Sequence, residues 1–233
     1  MENREAVGEP LLLSWSGGKD SCMTLFEVAQ RGGYRVVALL TTVTEVYDRV
    51  SMHGVRRVLL EQQAAALGLP LHLVPIPPEP PNDVYQARME AVFDPYRKDG
   101  VTTVAFGDLF LADIRRYREE WLTGIGLRAI FPLWHQETRA LARTFIDQGF
   151  RAVVTCVDSR VLDRSFSGRP FDHRFIETLP PLVDPCGENG EFHTFVHDGP
   201  LFREPVPLVL GEIVQRELWY YCDLLPVPKR AAM

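Results

Sequence analysis

The 233-residue chain carries 25 Lys+Arg against 31 Asp+Glu, a net charge of −6, with 46% hydrophobic and 24% charged residues. These proportions exclude a disordered chain and a uniformly basic nucleic-acid coat, and disfavour a nucleic-acid partner. No apolar run approaches the roughly 18 residues of a membrane helix, and Leu11-Leu12-Leu13 is too short for a signal-peptide core, so the expectation is a cytoplasmic protein with no membrane partner.

Residues 11–15 read as a short buried strand, followed by a Gly17-Gly18 turn and a helix. Cys22, Leu25, Phe26 and Ala29 give that helix one apolar face, and Gly32-Gly33 ends it. Residues 35–43 form an almost unbroken apolar, β-branched run, the pattern of a strand covered on both faces. A helix over 55–67 with Val55, Val58, Leu59 and Gln62 on one side follows, then a strand over 71–76. The proline-rich segment 77–81 is a stiff linker, after which Asn82 or Asp83 caps a helix running to about Lys98. Strands at 101–106, 127–131 and 151–157 alternate with helices at 112–123 and 136–147. Alternation through residue 157 predicts an α/β fold: a doubly wound, mostly parallel, Rossmann-like sheet with right-handed crossovers. After residue 180 prolines and glycines multiply and the helical periodicity fades; 192–197, 206–214 and 217–224 read as antiparallel strands of a small C-terminal α+β lobe that starts between 160 and 180.

The four cysteines, Cys22, Cys156, Cys186 and Cys222, contain no C-x-x-C pair, which leaves a zinc ribbon, an iron–sulfur site or a dithiol motif without support. Scattered cysteines of this kind are mostly packing residues. Cys186, beside a polar signature, is the one with an alternative reading as a reactive thiol. Trp219, Tyr220 and Tyr221 suit a core or a homodimer contact better than base stacking.

The strongest motif is Ser16-Gly17-Gly18-Lys19-Asp20-Ser21, between the first strand and the first helix. It is not a Walker A loop, whose spacing differs, but its physics is related. Two glycines let the backbone turn tightly and approach an anion, and the helix start offers unpaired N–H groups and a positive dipole end. Ser16 and Ser21 add hydroxyls, Lys19 a positive charge, and Asp20 a carboxylate suited to the helix start or to Mg²⁺.

The second distinctive stretch runs Cys186-Gly187-Glu188-Asn189-Gly190-Glu191-Phe192-His193-Thr194-Phe195. Glu188 and Glu191 suit an ammonium site, a shared metal or an acid/base pair, and His193 a proton shuttle. The bland reading is a surface turn entering a strand, with Phe192 and Phe195 anchored in the core.

Ser16 to Ser21 after a first strand resembles the PP-loop of the N-type ATP pyrophosphatases. The C-terminal stretch with Asp198-Gly199-Pro200-Leu201-Phe202 is similar to the signature of the diphthine–ammonia ligase family. Ser51-Met52-His53-Gly54-Val55-Arg56, Gly107-Asp108-Leu109-Phe110, Asp113 through Arg118 and Gly168-Arg169 agree with a bacterial-looking branch of that family. The resemblance spans about residues 10 to 205. Where eukaryotic and archaeal members carry Tyr-Gln-Arg, this chain reads Asp113-Ile114-Arg115-Arg116-Tyr117-Arg118.

The resemblance implies an ATP-dependent carbon–nitrogen ligase. ATP with Mg²⁺ adenylates a carboxylate on a small molecule or a protein, pyrophosphate leaves, and ammonia displaces AMP. Carried over by position, Ser16, Gly17, Gly18, Lys19, Asp20 and Ser21 bind the phosphates, with Asp20 toward the metal. Thr41, Thr42, Gly107 and Asp108 lie by the nucleotide; as bare chemistry they are equally strand filler and a capped turn. Lys19, Glu188, Glu191 and His193 become the catalytic candidates. His53, Arg116, Arg169, Asn189 and Thr194 become the substrate candidates, against a bland reading of Arg116 as part of a solvated helix face. The implied layout is a PP-loop nucleotide domain over 1–160 and a substrate lobe over 161–233. Two alternatives remain: an adenylating enzyme of another type, such as RNA thiolation, and a non-catalytic ATP- or AMP-binding protein.

Overall fold

The computed structural model describes residues 8–227. In chain order the elements are β1 (Glu9–Ser14), α1 (Lys19–Arg31), β2 (Tyr34–Thr44), β3 (Arg49–Val50), α2 (Arg57–Leu67), β4 (Leu71–Ile76), α3 (Asn82–Lys98), β5 (Thr103–Ala105), α4 (Ala112–Gly124), β6 (Arg128–Ile130), α5 (Thr138–Asp147), β7 (Arg151–Asp158), α6 (His173–Thr178), β8 (Phe192–Asp198), β9 (Leu208–Arg216) and β10 (Trp219–Pro226). They divide into two compact units. Among the described residues, one holds 8–16, Asp20–Tyr47 and Leu69–Gln136; the other holds Gly17–Lys19, Asp48–Gly68 and 137–227.

The first unit is the α/β layer expected from the alternation. Strands β4, β2, β1, β5 and β6 lie side by side in that order, every pair parallel. The apolar run of β2 is buried at Ala38, Leu39 and Leu40 because it is flanked by strands and covered by helices. A core of Leu12, Leu40, Val74, Phe93, Val104, Phe106 and Leu122 fills one side. The strand order reverses beside β1, between β1 and β5, so the segments following these two strands open at a switch point of the sheet. Those segments include Ser16 and Gly107.

Two local expectations are corrected. Helix α3 is not capped by Asn82 or Asp83: Pro81 occupies the cap position, and no side chain caps it. Proline already holds the torsion a helix entry needs, and Asp83 serves the first turn by its charge instead. Helix α2 buries Leu59, Leu60, Gln63, Ala64 and Ala66, whereas Val58 is exposed. The inner face is thus rotated by one residue from the one the apolar spacing suggested.

The second unit is built on a wholly antiparallel sheet in the order β8, β7, β10, β9. Strand β7, expected as one more member of the parallel series, lies in this sheet between β8 and β10. The lobe start expected between residues 160 and 180, and the composition change after 180, therefore fall inside the second unit. An aromatic core of Phe145, Phe150, Phe171, Phe175 and Phe192 packs beneath, with ring centroids 5.0 Å apart for Phe145–Phe150 and 5.1 Å for Phe175–Phe192.

Candidate functional site

In the second unit, Gly17–Lys19 is fastened to strand β8. The Val196 N–H donates to the Gly17 carbonyl at 2.9 Å, and the Lys19 N–H donates to Thr194 Oγ1 at 3.0 Å. Gln63, fully buried, gives its amide to the Gly17 carbonyl at 2.9 Å and to the Val196 carbonyl at 2.5 Å. Gly17 sits at φ +79°, and a Cβ there would meet Leu60 Cδ1 at 2.8 Å and Gln63 Oε1 at 2.9 Å. Only glycine accepts both the torsion and the space. The apolar spacing put Gln62 on the inner side of this helix, whereas the structure buries Gln63. Its spacing from Leu59, on the face that also carries Leu60 and Ala64, is the signal that finds it.

Lys19 is buried. Its ammonium donates to the Cys186 carbonyl and lies 5.5 Å from the centroid of the Phe192 ring. Lys19 and the polar signature are therefore held together from both ends of one residue.

The signature itself is a loop organised by two carboxylates. Asp184 Oδ1 accepts from the Cys186 N–H at 2.8 Å and the Glu188 N–H at 3.3 Å. Glu191, only 7% exposed, accepts from the N–H groups of Asp184 and Asn189 and from the Asn189 amide, each at 3.0 Å. Glu191 and Asn189 thus shape the loop. Asp184 was missed because the signature appeared to begin at Cys186.

His53 and His193 face one another with ring centroids 4.3 Å apart, and His193 also stacks on Trp219 at 5.9 Å. His53 Nδ1 lies 3.4 Å from the Thr194 carbonyl; an oxygen of that kind only accepts, so the proton is on Nδ1. Burial pushes the His53 imidazole down to about 4, with the Lys19 charge acting the same way against the Thr194 contact. His193 is pushed well below its ordinary value, chiefly by burial and then by His53 and Lys19. Both rings are neutral at pH 7. His193 Nε2 is buried without a hydrogen-bond partner.

In the first unit, Ser16 Oγ and Ser21 Oγ stand 3.4 Å apart. Gly107 lies against the first turn of α1: a Cβ there would come within 3.1 Å of the Asp20 carbonyl group and Thr24 Oγ1. Asp108 follows, its side chain 12% exposed and 3.3 Å from Arg118. Burial raises its carboxyl above the ordinary range, Arg118 opposes this, and Asp20 adds to it. Asp108 Oδ2 is buried without a partner. Two nearby carboxylates, one with an unmet oxygen, fit Mg²⁺, which takes one or two carboxylates and completes its shell with phosphates and water. No group of three or more His, Cys, Asp or Glu side chains converges among the described residues.

The other candidates lie as follows. Thr41 is buried in β2 and donates to the Trp15 carbonyl at 2.6 Å, while Thr42 is half-buried beside it. Arg116 is exposed on α4 and paired with Asp113. Arg118, two residues on, is the arginine that reaches Asp108, and it lies 4.2 Å over Phe106. Arg169 stacks over Phe166 at 4.8 Å, lies 5.5 Å from the centroid of Phe175 and bonds Thr178. All four cysteines are buried and none forms a disulfide.

Sequence comparison completes the description. Residues 11–129 match the Diphthamide synthase N-terminal domain and residues 137–228 the Diphthamide synthase C-terminal domain. The chain is similar to proteins named diphthine–ammonia ligase. It is 26% identical over 228 residues to that of Schizosaccharomyces pombe, covering 90% of this chain but 38% of the relative. It is 26% identical to the Danio rerio protein, over 85% of this chain and 86% of the relative, and 27% identical to the Homo sapiens protein, over 85% and 82%. No helix among the described residues is long and apolar enough to cross a membrane.

Proposed function

Because the chain belongs to the diphthamide synthase family, whose curated relatives are ATP-dependent carbon–nitrogen ligases, we propose that it adenylates a carboxylate with ATP and converts the adenylate to an amide with ammonia. The observation that carries this reading is the double fastening of Lys19, through its N–H to Thr194 and its ammonium to Cys186. It makes the glycine turn and the polar signature one piece of structure.

In this reading Ser16, Gly17, Gly18, Lys19 and Ser21 take the phosphates, with backbone N–H groups and the Lys19 charge stabilising the departing pyrophosphate. Asp20 and Asp108 would hold Mg²⁺, which would supply neutralisation of phosphate charge when bound. Thr42 faces the base or ribose, and Thr41 supports it from within the strand. A substrate carboxylate oxygen attacks the α-phosphorus, the P–O bond to pyrophosphate breaks, and the acyl-adenylate forms. Ammonia then adds to the carbonyl carbon, AMP leaves with the bonding pair, and one proton is lost from nitrogen. The neutral rings of His53 and His193, with Glu188, stand on the substrate side; Glu191 and Asn189 keep the loop in shape. We place the protein in the cytoplasm.

The relatives are named for diphthine and ammonia, so these are the first substrates to test. With ATP, Mg²⁺, ammonium and a diphthine-bearing protein or a panel of free carboxylic acids, AMP and pyrophosphate should appear in equal amounts with the amide. Production of ADP and phosphate instead would overturn the reading, as would a Lys19→Ala variant that turns over normally.

A further inference from the structure

The loop that carries His53 is held by its own flank at Arg56 together with Arg49 and Asp223, which lie outside the motifs that drew attention to the site. Its two flanks, Arg49 and Arg56, are bridged to one another, and the turn between them is closed by the Val50 N–H on the Val55 carbonyl at 2.8 Å and the Gly54 N–H on the Val50 carbonyl at 3.0 Å. Both arginines converge on one carboxylate of β10. Arg56 donates Nε to Asp223 Oδ1 at 3.0 Å and Nη2 to Oδ2 at 2.6 Å, a bidentate fork. Arg49 Nη1 reaches Asp223 Oδ1 at 2.9 Å and the carbonyl of Gly54, the residue after His53, at 2.7 Å. Gly54, at φ +67°, lies so close to Tyr221 that a Cβ would meet its ring at 2.8 Å. The tip of the loop is thus pressed on β10 and clamped there by charge.

We propose that Asp223 is a positioning residue: through Arg49 and Arg56 it fixes the 49–56 loop so that His53 stays on the Thr194 carbonyl and against the His193 ring. The proposal rests on the reading of His53 as a substrate-side group. Its chemistry is that of a two-armed clasp, in which one anion satisfies two cations and the geometry of a short loop follows. Both arginines and Asp223 are partly exposed, with side chains 24%, 40% and 23% accessible, so the clasp's worth lies in orientation more than in stability. A glutamine or a lysine at Arg56 would keep a polar side chain but lose the fork, and a glutamine at Arg49 would remove its charge from Asp223.

The test joins kinetics to imidazole NMR of the full-length protein. The groups facing His53 are His193 and Thr194 from β8 and Lys19 from α1, with Cys156 of β7 touching the adjacent Met52 carbonyl and Tyr221 of β10 beneath Gly54. Asp223→Asn and Asp223→Ala should lower the rate of pyrophosphate release about 10- to 100-fold while the KM for ATP changes less than about twofold, the signature of lost orientation. In the same variants the His53 ring should titrate closer to an ordinary histidine. Asp223→Glu should recover part of the rate, and Glu212→Gln on the neighbouring strand should change nothing. Should Asp223→Ala fail to fold, Arg49→Gln and Arg56→Gln, each removing one arm, decide by the same readouts. Wild-type His53 titration in folded Asp223→Asn and in the arginine variants overturns the clasp. If the wild type shows no ligase turnover, the proposed reaction fails, and the NMR arm still judges the clasp by itself.

Discussion

The backbone N–H of Lys19 is bound by the hydroxyl of Thr194, 175 residues away in the chain, at 3.0 Å and out of contact with water. An N–H at a helix start has no partner in its own helix, so the fold must supply one or leave it for a ligand. Here the signature strand supplies it at Lys19. Thr194→Val keeps the shape and removes the acceptor. That variant should lose about 1–3 kcal/mol of stability in urea unfolding and show slower pyrophosphate release. Thr194→Ser should retain most of both. A valine variant as stable and as active as the wild type would show the bond to be idle.

Glu191 is expected to behave as a builder of the loop. Three donors converge on its carboxylate, two of them backbone N–H groups that would be left unmet in Glu191→Ala. Each bond to a charged acceptor contributes about 1.5–3 kcal/mol, so the alanine variant should melt several degrees lower. Its ATP affinity should fall only as far as the Lys19–Cys186 contact loosens. Glu191→Gln, which keeps one acceptor oxygen, should lie between the two in melting temperature. An alanine variant with unchanged melting but abolished amide formation would assign Glu191 to chemistry instead.

Most of the first unit was legible in the sequence because its signals are local: apolar runs for buried strands, glycine turns at their ends, and apolar spacing along the helices. The three C-terminal strands were legible for the same reason. What was not legible depends on contacts far apart in the chain. Strand β7 has the apolar run of a parallel strand, yet its partners are β8 and β10, and nothing within residues 151–158 names them. Gln63 and Asp223 are ordinary polar residues until the Gly17 carbonyl and the two arginines are placed beside them. Arg116 and Arg118 share one helix and one charge, and only the position of Asp108 distinguishes them.

The two imidazoles make stability depend on pH with a definite sign. The folded protein holds His53 at about 4, and the unfolded chain restores it to about 6.5. Between these values the unfolded state binds more protons, so stability is complete above about pH 6.5 and falls as the pH drops toward 4. His53 alone accounts for at most about 3 kcal/mol across that window, and His193 is shifted in the same direction. Urea unfolding at pH 5 should therefore give a lower midpoint than at pH 7.5, and His53→Gln should flatten the difference. Equal midpoints in the wild type would mean that the rings are solvated and titrate normally.

A final prediction concerns why Asp108 is a carboxylate at all. Its surroundings disfavour charge: burial raises the carboxyl more than Arg118 lowers it, one oxygen has no partner, and Asp20 adds a smaller repulsion. An asparagine would avoid much of that cost within the same volume. A divalent cation arriving with the phosphates would relieve both carboxylates at once, which is a reason to keep the charge that packing does not provide. Asp108→Asn should accordingly melt no lower than the wild type. Wild-type ATP affinity, read by calorimetry, should rise with Mg²⁺ over its value in chelator, and the variant should lose most of that difference. A variant that kept the full Mg²⁺ dependence would place the ion elsewhere and leave Asp108 as the partner of Arg118 alone.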